Sequence, residues 1–149
     1  MITATVGASR HDGPMALTVV IDCSDPDALV PFWSAALGYR AIDVPGLDQY
    51  RVLVPDEAAG GGRQPGAPVV ALQRVPEPRT GKNRVHLDVH PDDVERLATR
   101  LEDLGGRRLG GPVTSWLDVL GTWWLVMTDP EGNELCLVAD AEHQPPPAG

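Results

Sequence analysis

The order of apolar and polar positions along the chain occurs twice. The first copy, "LTVVIDCSDPDALVPFWSAALGYR", runs from an apolar stretch through a turn rich in Asp and Pro into apolar residues at helical spacing, and it ends near a Gly. The second copy, "RVHLDVHPDDVERLATRLEDLGGRRL", has the same order. Each copy therefore predicts a strand followed by a helix with one apolar face.

Both predicted helices have recognisable ends. Ser24 or Asp25 can cap the first helix, and Asp92 or Asp93 the second, because a short polar side chain accepts a hydrogen bond from the free N–H groups of the first turn. A glycine after each helix permits the left-handed conformation that ends it. Trp33 lies on the apolar face of the first helix, and we assign it to the core.

Strand patterns follow each helix. In the first half they are "YRVLV" and "VVALQRV", separated by a Gly- and Pro-rich loop. In the second half they are "TSWLDV", "WWLVMTD" and "NELCLV", the last two joined by the turn "DPEGN". The period of about 65 to 70 residues is too long for a solenoid repeat. We therefore expect two similar halves that share one core and leave a cleft between them for a ligand.

Composition and charge narrow the class of protein. Hydrophobic residues make up 42% of the 149 residues and charged residues 22%, which is typical of a globular domain. No apolar run is long enough to span a membrane, and no secretory signal is present, so we expect a cytoplasmic protein with no membrane partner. The net charge of −9 argues against nucleic-acid binding. Cys23 and Cys136 each lie in an apolar run, which favours reduced core thiols over a disulfide.

The two ends of the chain differ from its body. The tail is polar and Pro-rich, and the first residues lack a strand or helix pattern. We predict a flexible N-terminal segment at 1–14, a single domain at 15–139 and a disordered tail at 140–149.

Three stretches together resemble a known superfamily. They are "VVIDCSDPDALVPFWSAALGY", "LQRVPEPRTGKNRVHLDVHPDDVERLATRLEDLGG" and "VMTDPEGNELCLV". The chain resembles the glyoxalase, bleomycin-resistance and dioxygenase superfamily, also called vicinal oxygen chelate proteins, and within it the glyoxalase-like bacterial members. This resemblance implies an α+β fold of two tandem βαβββ modules, about 15–78 and 83–139, that form an open, barrel-like cup. Such proteins often dimerise, so a homodimer is expected.

The resemblance also implies four positions around a divalent metal, one each on the first and last strands of the two modules. Carried over to this sequence, they are Thr18, Gln73, His86 and Glu134. Imidazole and carboxylate are good ligands for zinc, nickel, manganese or iron, but an amide is poorer and a threonine hydroxyl rarely binds them. His86, Glu134 and Gln73 therefore make at most a weak metal site. Asp22 shares the face of Thr18 but lies roughly 13 Å along the strand.

His86 and Glu134 are also the candidate catalytic residues. A histidine at this place either acts in the pocket or is a structural residue hydrogen-bonded inside the cup. Glu134 alternates with Leu135 and Leu137, so it shares a face with Cys136. A carboxylate beside a buried thiol is costly unless it is paired or binds a ligand, and the alternative is that this face is hydrated.

Tryptophan is the other candidate for ligand contact. Trp116, Trp123 and Trp124 lie in the predicted strands of the second half. Trp123 and Trp124 are adjacent, so only one of them can face the cup. Large indoles in a cleft suit a flat organic ligand, and core packing is the alternative reading.

Two functions follow from these residues. In the first, the cup binds an apolar or aromatic small molecule without a metal, through Thr18, Gln73 and the tryptophans, as a sequestering resistance protein or a metal-free enzyme. In the second, a divalent ion supports a lyase, isomerase or dioxygenase with His86 and Glu134 at the centre. The absence of histidine at Thr18 favours the first hypothesis. The substrate and the choice between enzyme and binding protein are left open by the sequence.

Overall fold

The computed structural model describes residues 17–56, 66–140 and 142–143. The predicted flexible segment 1–14 and most of the predicted tail 140–149 lie outside these residues. Among the described residues, none of the helices has the length and apolar character that a bilayer crossing requires.

The first module is a four-stranded mixed sheet with one helix. Its elements are β1 (Thr18–Cys23), α1 (Pro26–Leu37), β2 (Tyr39–Ile42), β3 (Tyr50–Pro55) and β4 (Val69–Arg74). The strand order is β1-β4-β3-β2, with β1 parallel to β4 and the other pairs antiparallel. Asp25 caps α1 by accepting a hydrogen bond from the N–H of Asp27, and Gly38 ends the helix at a φ of 66°. The cap at Asp25 and the left-handed Gly38 confirm the start and end of this helix that were predicted from the sequence.

The second module repeats this arrangement with one additional short helix. Its elements are β5 (Leu87–Val89), α2 (Val94–Asp103), β6 (Arg107–Arg108), α3 (Leu117–Leu120), β7 (Thr122–Thr128) and β8 (Glu134–Asp140). The strand order is β5-β8-β7-β6, and β5 is parallel to β8. Asp93 caps α2 through the N–H of Arg96. Two tandem βαβββ modules, and with them the α+β class and the open cup, are therefore confirmed.

One hydrophobic core joins the two modules on the side of the helices. Side chains of α1 and α2 pack there against alternate residues of the strands, including Leu53, Leu72, Leu125 and Leu137. Trp33 is 1% exposed, as assigned from the helix pattern. The strand residues of the opposite parity face away from the helices and form the concave face of the cup.

The turn before β8 connects the modules through hydrogen bonds. Asp129 is 1% exposed, and its carboxylate accepts hydrogen bonds from Trp33 Nε1 at 3.0 Å and from the backbone N–H groups of Glu131 and Asn133. The Glu131 carboxylate accepts the N–H groups of Ser24 at 2.6 Å and Asp25 at 2.8 Å. The sequence "DPEGN" is therefore more than a hairpin turn, because it holds β8 against the start of α1.

Three elements differ from the sequence-based expectation. The stretch "TSWLDV", predicted as a strand, forms α3 and the turn before it. The short strands β2 and β6 were not predicted, and β6 consists of two arginines. A strand pattern of six residues with mixed polarity does not distinguish a strand from a helical turn, and charged residues on an edge strand give no apolar signal.

Candidate functional site

The concave face of the second module carries the candidate polar residues. Glu134 and Cys136 alternate with buried leucines on β8, and both point away from the helices. Asp88 on β5 lies directly opposite Cys136 in the parallel pair, and His86 precedes β5 by one residue. Because His86 and Asp88 are two residues apart, both side chains reach the same face.

His86, Asp88 and Cys136 form a compact cluster. Their ligand atoms all lie within 4.8 Å of one another, and His86 Nε2 is 3.2 Å from Asp88 Oδ1. The side chains of His86 and Asp88 are about half exposed, at 46% and 54%, whereas Cys136 is buried. Sequence reasoning placed Cys136 on the face of Glu134 but did not join it to His86. The i, i+2 spacing of His86 and Asp88 was the available signal.

The Cys136 thiol is protonated at neutral pH. Its pKa is raised from 9.0 to about 11, first by burial and then by the negative charge of Asp88 and a hydrogen bond to that carboxylate. Since the thiolate is the nucleophilic form, Cys136 is not an activated nucleophile. The other free cysteine, Cys23, is buried with its pKa raised to about 12, first by burial and then by the charges of Glu131 and Asp129.

Glu134 is held by an ion pair. Its carboxylate Oε1 accepts a hydrogen bond from Arg79 Nη2 at 2.5 Å, and the Glu134 side chain is 11% exposed. Arg79 also donates to Asn83 Oδ1 at 2.9 Å. The charge of Glu134 is thus balanced by the segment that leads into β5. This answers, in structural terms, how a carboxylate is tolerated on a face that includes a buried thiol.

Thr18 and Gln73 lie apart from each other in the first module. In the parallel β1–β4 pair Thr18 is opposite Val69, and Gln73 is opposite Asp22. Four residues of strand separate the two positions, which is roughly 13 Å. The backbone oxygen of Gln73 accepts a hydrogen bond from Cys23 Sγ at 3.4 Å.

The four positions implied by the resemblance do not fit a metal ion. A divalent ion needs its donors at about 2.0–2.3 Å from one point. The separation of Thr18 from Gln73 prevents both from meeting this condition, and the Glu134 carboxylate is engaged by Arg79. A hydroxyl and an amide are also weak donors for such ions. These four residues therefore do not hold a divalent metal ion together.

The three candidate tryptophans occupy different environments. Trp123 is 2% exposed in the core, and its Nε1 donates to the backbone oxygen of His143. Trp124, the next residue of β7, therefore faces the concave side, where it is half-buried. Trp116 precedes α3 and is 52% exposed, in a turn and not in a strand. Trp124 is thus the indole that the strand β7 presents to the cup.

A cavity of about 160 Å³ lies between the modules beside His86. Its walls are largely apolar, with Val20 and Ile21 from β1 and Leu87 from β5. His86 and Glu134 supply polar groups. The volume suits one ring or a short branched group of a larger molecule, because pockets for drug-sized ligands are about 300–1,000 Å³.

A larger groove of about 1110 Å³ lies elsewhere, between the end of α1 and the start of α2. It is lined by residues of both charges, among them Asp92, Asp93, Arg96 and Arg100, together with His90. It contains neither His86 nor Glu134, so it does not bring the predicted site residues together.

Comparisons with known proteins agree with this architecture. A family model described as a glyoxalase-like domain matches residues 18–138. No curated protein matches the sequence. A glyoxalase/bleomycin resistance protein/dioxygenase family enzyme from Burkholderia phytofirmans PsJN is 18% identical with a TM-score of 0.61, over 81% of this chain and 94% of that chain.

Two further solved structures are similar. A superfamily member from Sphaerobacter thermophilus DSM 20745 is 22% identical with a TM-score of 0.58, over 84% of this chain and 96% of that chain. A glyoxalase/bleomycin resistance protein/dioxygenase from Alicyclobacillus acidocaldarius is 12% identical with a TM-score of 0.58, over 85% and 91%. The two modules, their cup and the match over residues 18–138 together show that this chain belongs to the glyoxalase-like domain family.

Proposed function

We propose that the protein binds a small, mostly apolar organic molecule in its cup and sequesters it, with no metal ion required for binding. The main support for this proposal is the cavity between the modules, which has apolar walls and in which His86 can orient a polar group of the ligand. Such a combination of apolar lining and a few polar groups is typical of small-molecule sites.

The electrostatics of the cavity support an organic ligand. Glu134 is already neutralised by Arg79, so an apolar group that enters the cavity does not desolvate an unpaired Glu134 carboxylate. His86 is half exposed and can offer a hydrogen bond. Trp124 adds an aromatic surface on the same concave face, and Thr18, Gln73 and Trp116 remain predicted ligand contacts.

Enzymatic activity is not part of this proposal. The Cys136 thiol is protonated, and the family's metal positions do not converge. Both features favour a binding role over thiolate-based or metal-assisted chemistry. The histidine is then an orienting group for the ligand.

The proposal is tested by dye binding in the presence of a chelator. We expect the apolar fluorophore anilinonaphthalene sulfonate, and aromatic natural products that displace it, to bind to the chelated wild-type protein. Val20→Phe fills the mouth of the cavity from a side chain that is 50% exposed, and we expect it to weaken binding at least tenfold, about 1.4 kcal/mol. Trp124→Ala should cost about 2 kcal/mol, and His86→Ala roughly 0.5–1.5 kcal/mol.

Matched controls separate the cavity from the rest of the surface. Val119→Phe alters an exposed valine of α3, and His90→Ala removes a histidine of the larger groove. Neither should change the affinity more than twofold. The proposal fails if Val20→Phe and His86→Ala bind the displacing compounds as tightly as these controls do.

A further inference from the structure

We propose that His86, Asp88 and Cys136 form a binding site for a thiophilic divalent cation of the zinc class, built entirely from the second module. This inference goes beyond the binding function above, which does not depend on it. The site also differs from the four metal positions implied by the resemblance, because Asp88 and Cys136 replace Thr18, Gln73 and Glu134.

The positions of the three side chains follow from the backbone. His86 and Asp88 are two residues apart along the chain, and Asp88 faces Cys136 across the parallel β5–β8 pair. Alternate residues of an extended chain and the facing position of the neighbouring strand bring three donors to one side of the sheet. Strand register thus places Asp88 opposite Cys136, and the residue that leads into β5 places His86 beside them.

The distances suit a common ion. Two ligands placed about 2.0 Å from a tetrahedral centre lie about 3.3 Å from each other. His86 Nε2 and Asp88 Oδ1 are 3.2 Å apart. The three ligand atoms lie within 4.8 Å of one another, so a shift of the half-exposed His86 and Asp88 side chains brings them around one point.

The donor chemistry selects the class of ion. An imidazole nitrogen, a carboxylate oxygen and a sulfur suit zinc and cobalt better than calcium or magnesium, which prefer oxygen alone. On binding, the Cys136 S–H bond breaks, the proton passes to solvent, and the sulfur electron pair forms the metal–sulfur bond. The thiolate and the Asp88 carboxylate then balance the two positive charges of the ion. Three protein ligands leave a fourth position open towards the cup.

Cobalt is the probe for this site, because a cobalt–thiolate bond gives a charge-transfer absorption band in the near ultraviolet. We expect the full-length wild-type protein to bind one equivalent of Co²⁺ with this band, and Zn²⁺ to displace it. Cys136→Ser should abolish the band, while Cys23→Ser, which alters the other thiol, should retain it. His86→Ala and Asp88→Ala should each weaken Co²⁺ binding by roughly tenfold or more.

Glu134→Gln and Thr18→Val are the controls for the alternative set of ligands, and we expect both to bind Co²⁺ as the wild type does. His86 and Asp88 are exposed, so their variants should fold, and circular dichroism verifies this. The proposal is overturned if the wild type shows no cobalt–thiolate band, if Asp88→Ala binds as tightly as the wild type, or if Glu134→Gln weakens binding as much as Asp88→Ala. Ligand binding is measured with a chelator present, so failure of this site is distinguishable from failure of the proposed function.

Discussion

At the scale of single residues, three carboxylates of this protein make different stabilising interactions. Glu134 neutralises Arg79, Asp129 is a buried hydrogen-bond acceptor for the core, and Glu131 accepts backbone N–H groups just before α1 in the other module. Sequence reasoning identified Glu134 as unusual because of its neighbours on β8, but Arg79 was not recognisable as its partner. Arg79 lies 55 residues away, in a segment without regular structure, and only the fold brings the two together.

Glu131 provides a prediction on the pH dependence of stability. Burial acts to raise the pKa of Glu131, but hydrogen bonds from the backbone of Ser24 and Asp25 outweigh it, so the pKa lies below its ordinary value of 4.5. A carboxyl whose pKa is lower in the folded state stabilises the fold above pH 4.5, and this contribution is lost as the pH falls through the folded-state pKa.

We expect Glu131→Gln to lower the free energy of unfolding by about 1 kcal/mol at pH 7, as the loss of a helix cap does. The difference from wild type should shrink as the pH falls below 4.5. Urea unfolding followed by circular dichroism at several pH values measures it. The exposed Glu77→Gln is the control and should show no such trend. A difference that is constant with pH would contradict this account.

At the scale of elements, both major helices were predictable and the short elements were not. Asp25, Asp93 and Gly38 mark helix ends by chemistry that acts within one turn, so the sequence alone identifies them. The sites of β2, β6 and α3 depend on which strand or helix packs beside them. For the same reason the register of β5 against β8, and with it the neighbourhood of His86 and Cys136, was not available from the sequence.

Gly106, between α2 and β6, is tightly surrounded by other residues. A Cβ atom on Gly106 would lie 2.5 Å from Phe32 Cε2 and 2.9 Å from the backbone oxygens of Leu101 and Thr128. Three elements therefore approach one another at a residue without a side chain. We expect Gly106→Ala to lower the free energy of unfolding by about 1–3 kcal/mol, because two of the crowded neighbours are backbone atoms.

Gly111→Ala is the matched comparison for Gly106→Ala. Its Cβ would meet nothing within 4 Å, and its φ is not in the left-handed range. This variant should stay within about 0.5 kcal/mol of wild type. Thermal and urea unfolding of both variants decide the matter, and equal stabilities would show that the packing around Gly106 can relax.

At the scale of the whole molecule, the homodimer remains a prediction. Neither Trp123 nor Trp124 supplies an outward apolar patch for a dimer, because Trp123 is buried and Trp124 faces the cup. The exposed apolar side chains of Trp116, Val119 and Leu120, at 52%, 71% and 63%, form the α3 patch instead. Contiguous apolar surface of this kind is typical of an interface.

We expect light scattering at micromolar concentration to give twice the chain mass of 15.9 kDa. Val119→Glu places a charge in the α3 patch and should shift the protein towards monomers, since a twofold interface contains each substitution twice. Glu77→Gln serves again as a surface control. A mass of 15.9 kDa for the wild type would exclude the dimer under these conditions, and a dimer unaffected by Val119→Glu would place the interface elsewhere.

The hydrogen bonds of the "DPEGN" turn also have a consequence for biosynthesis. Trp33 and its acceptor Asp129 are 96 residues apart. The N–H groups just before α1 have their acceptor in Glu131, which is more than 100 residues later in the chain. During translation the first module therefore emerges from the ribosome while the Trp33 indole N–H and the backbone N–H groups of Ser24 and Asp25 still lack these acceptors. Because contacts this distant in sequence form late, we expect the nascent first module to stay open to chaperones and proteases until the last strand has been made.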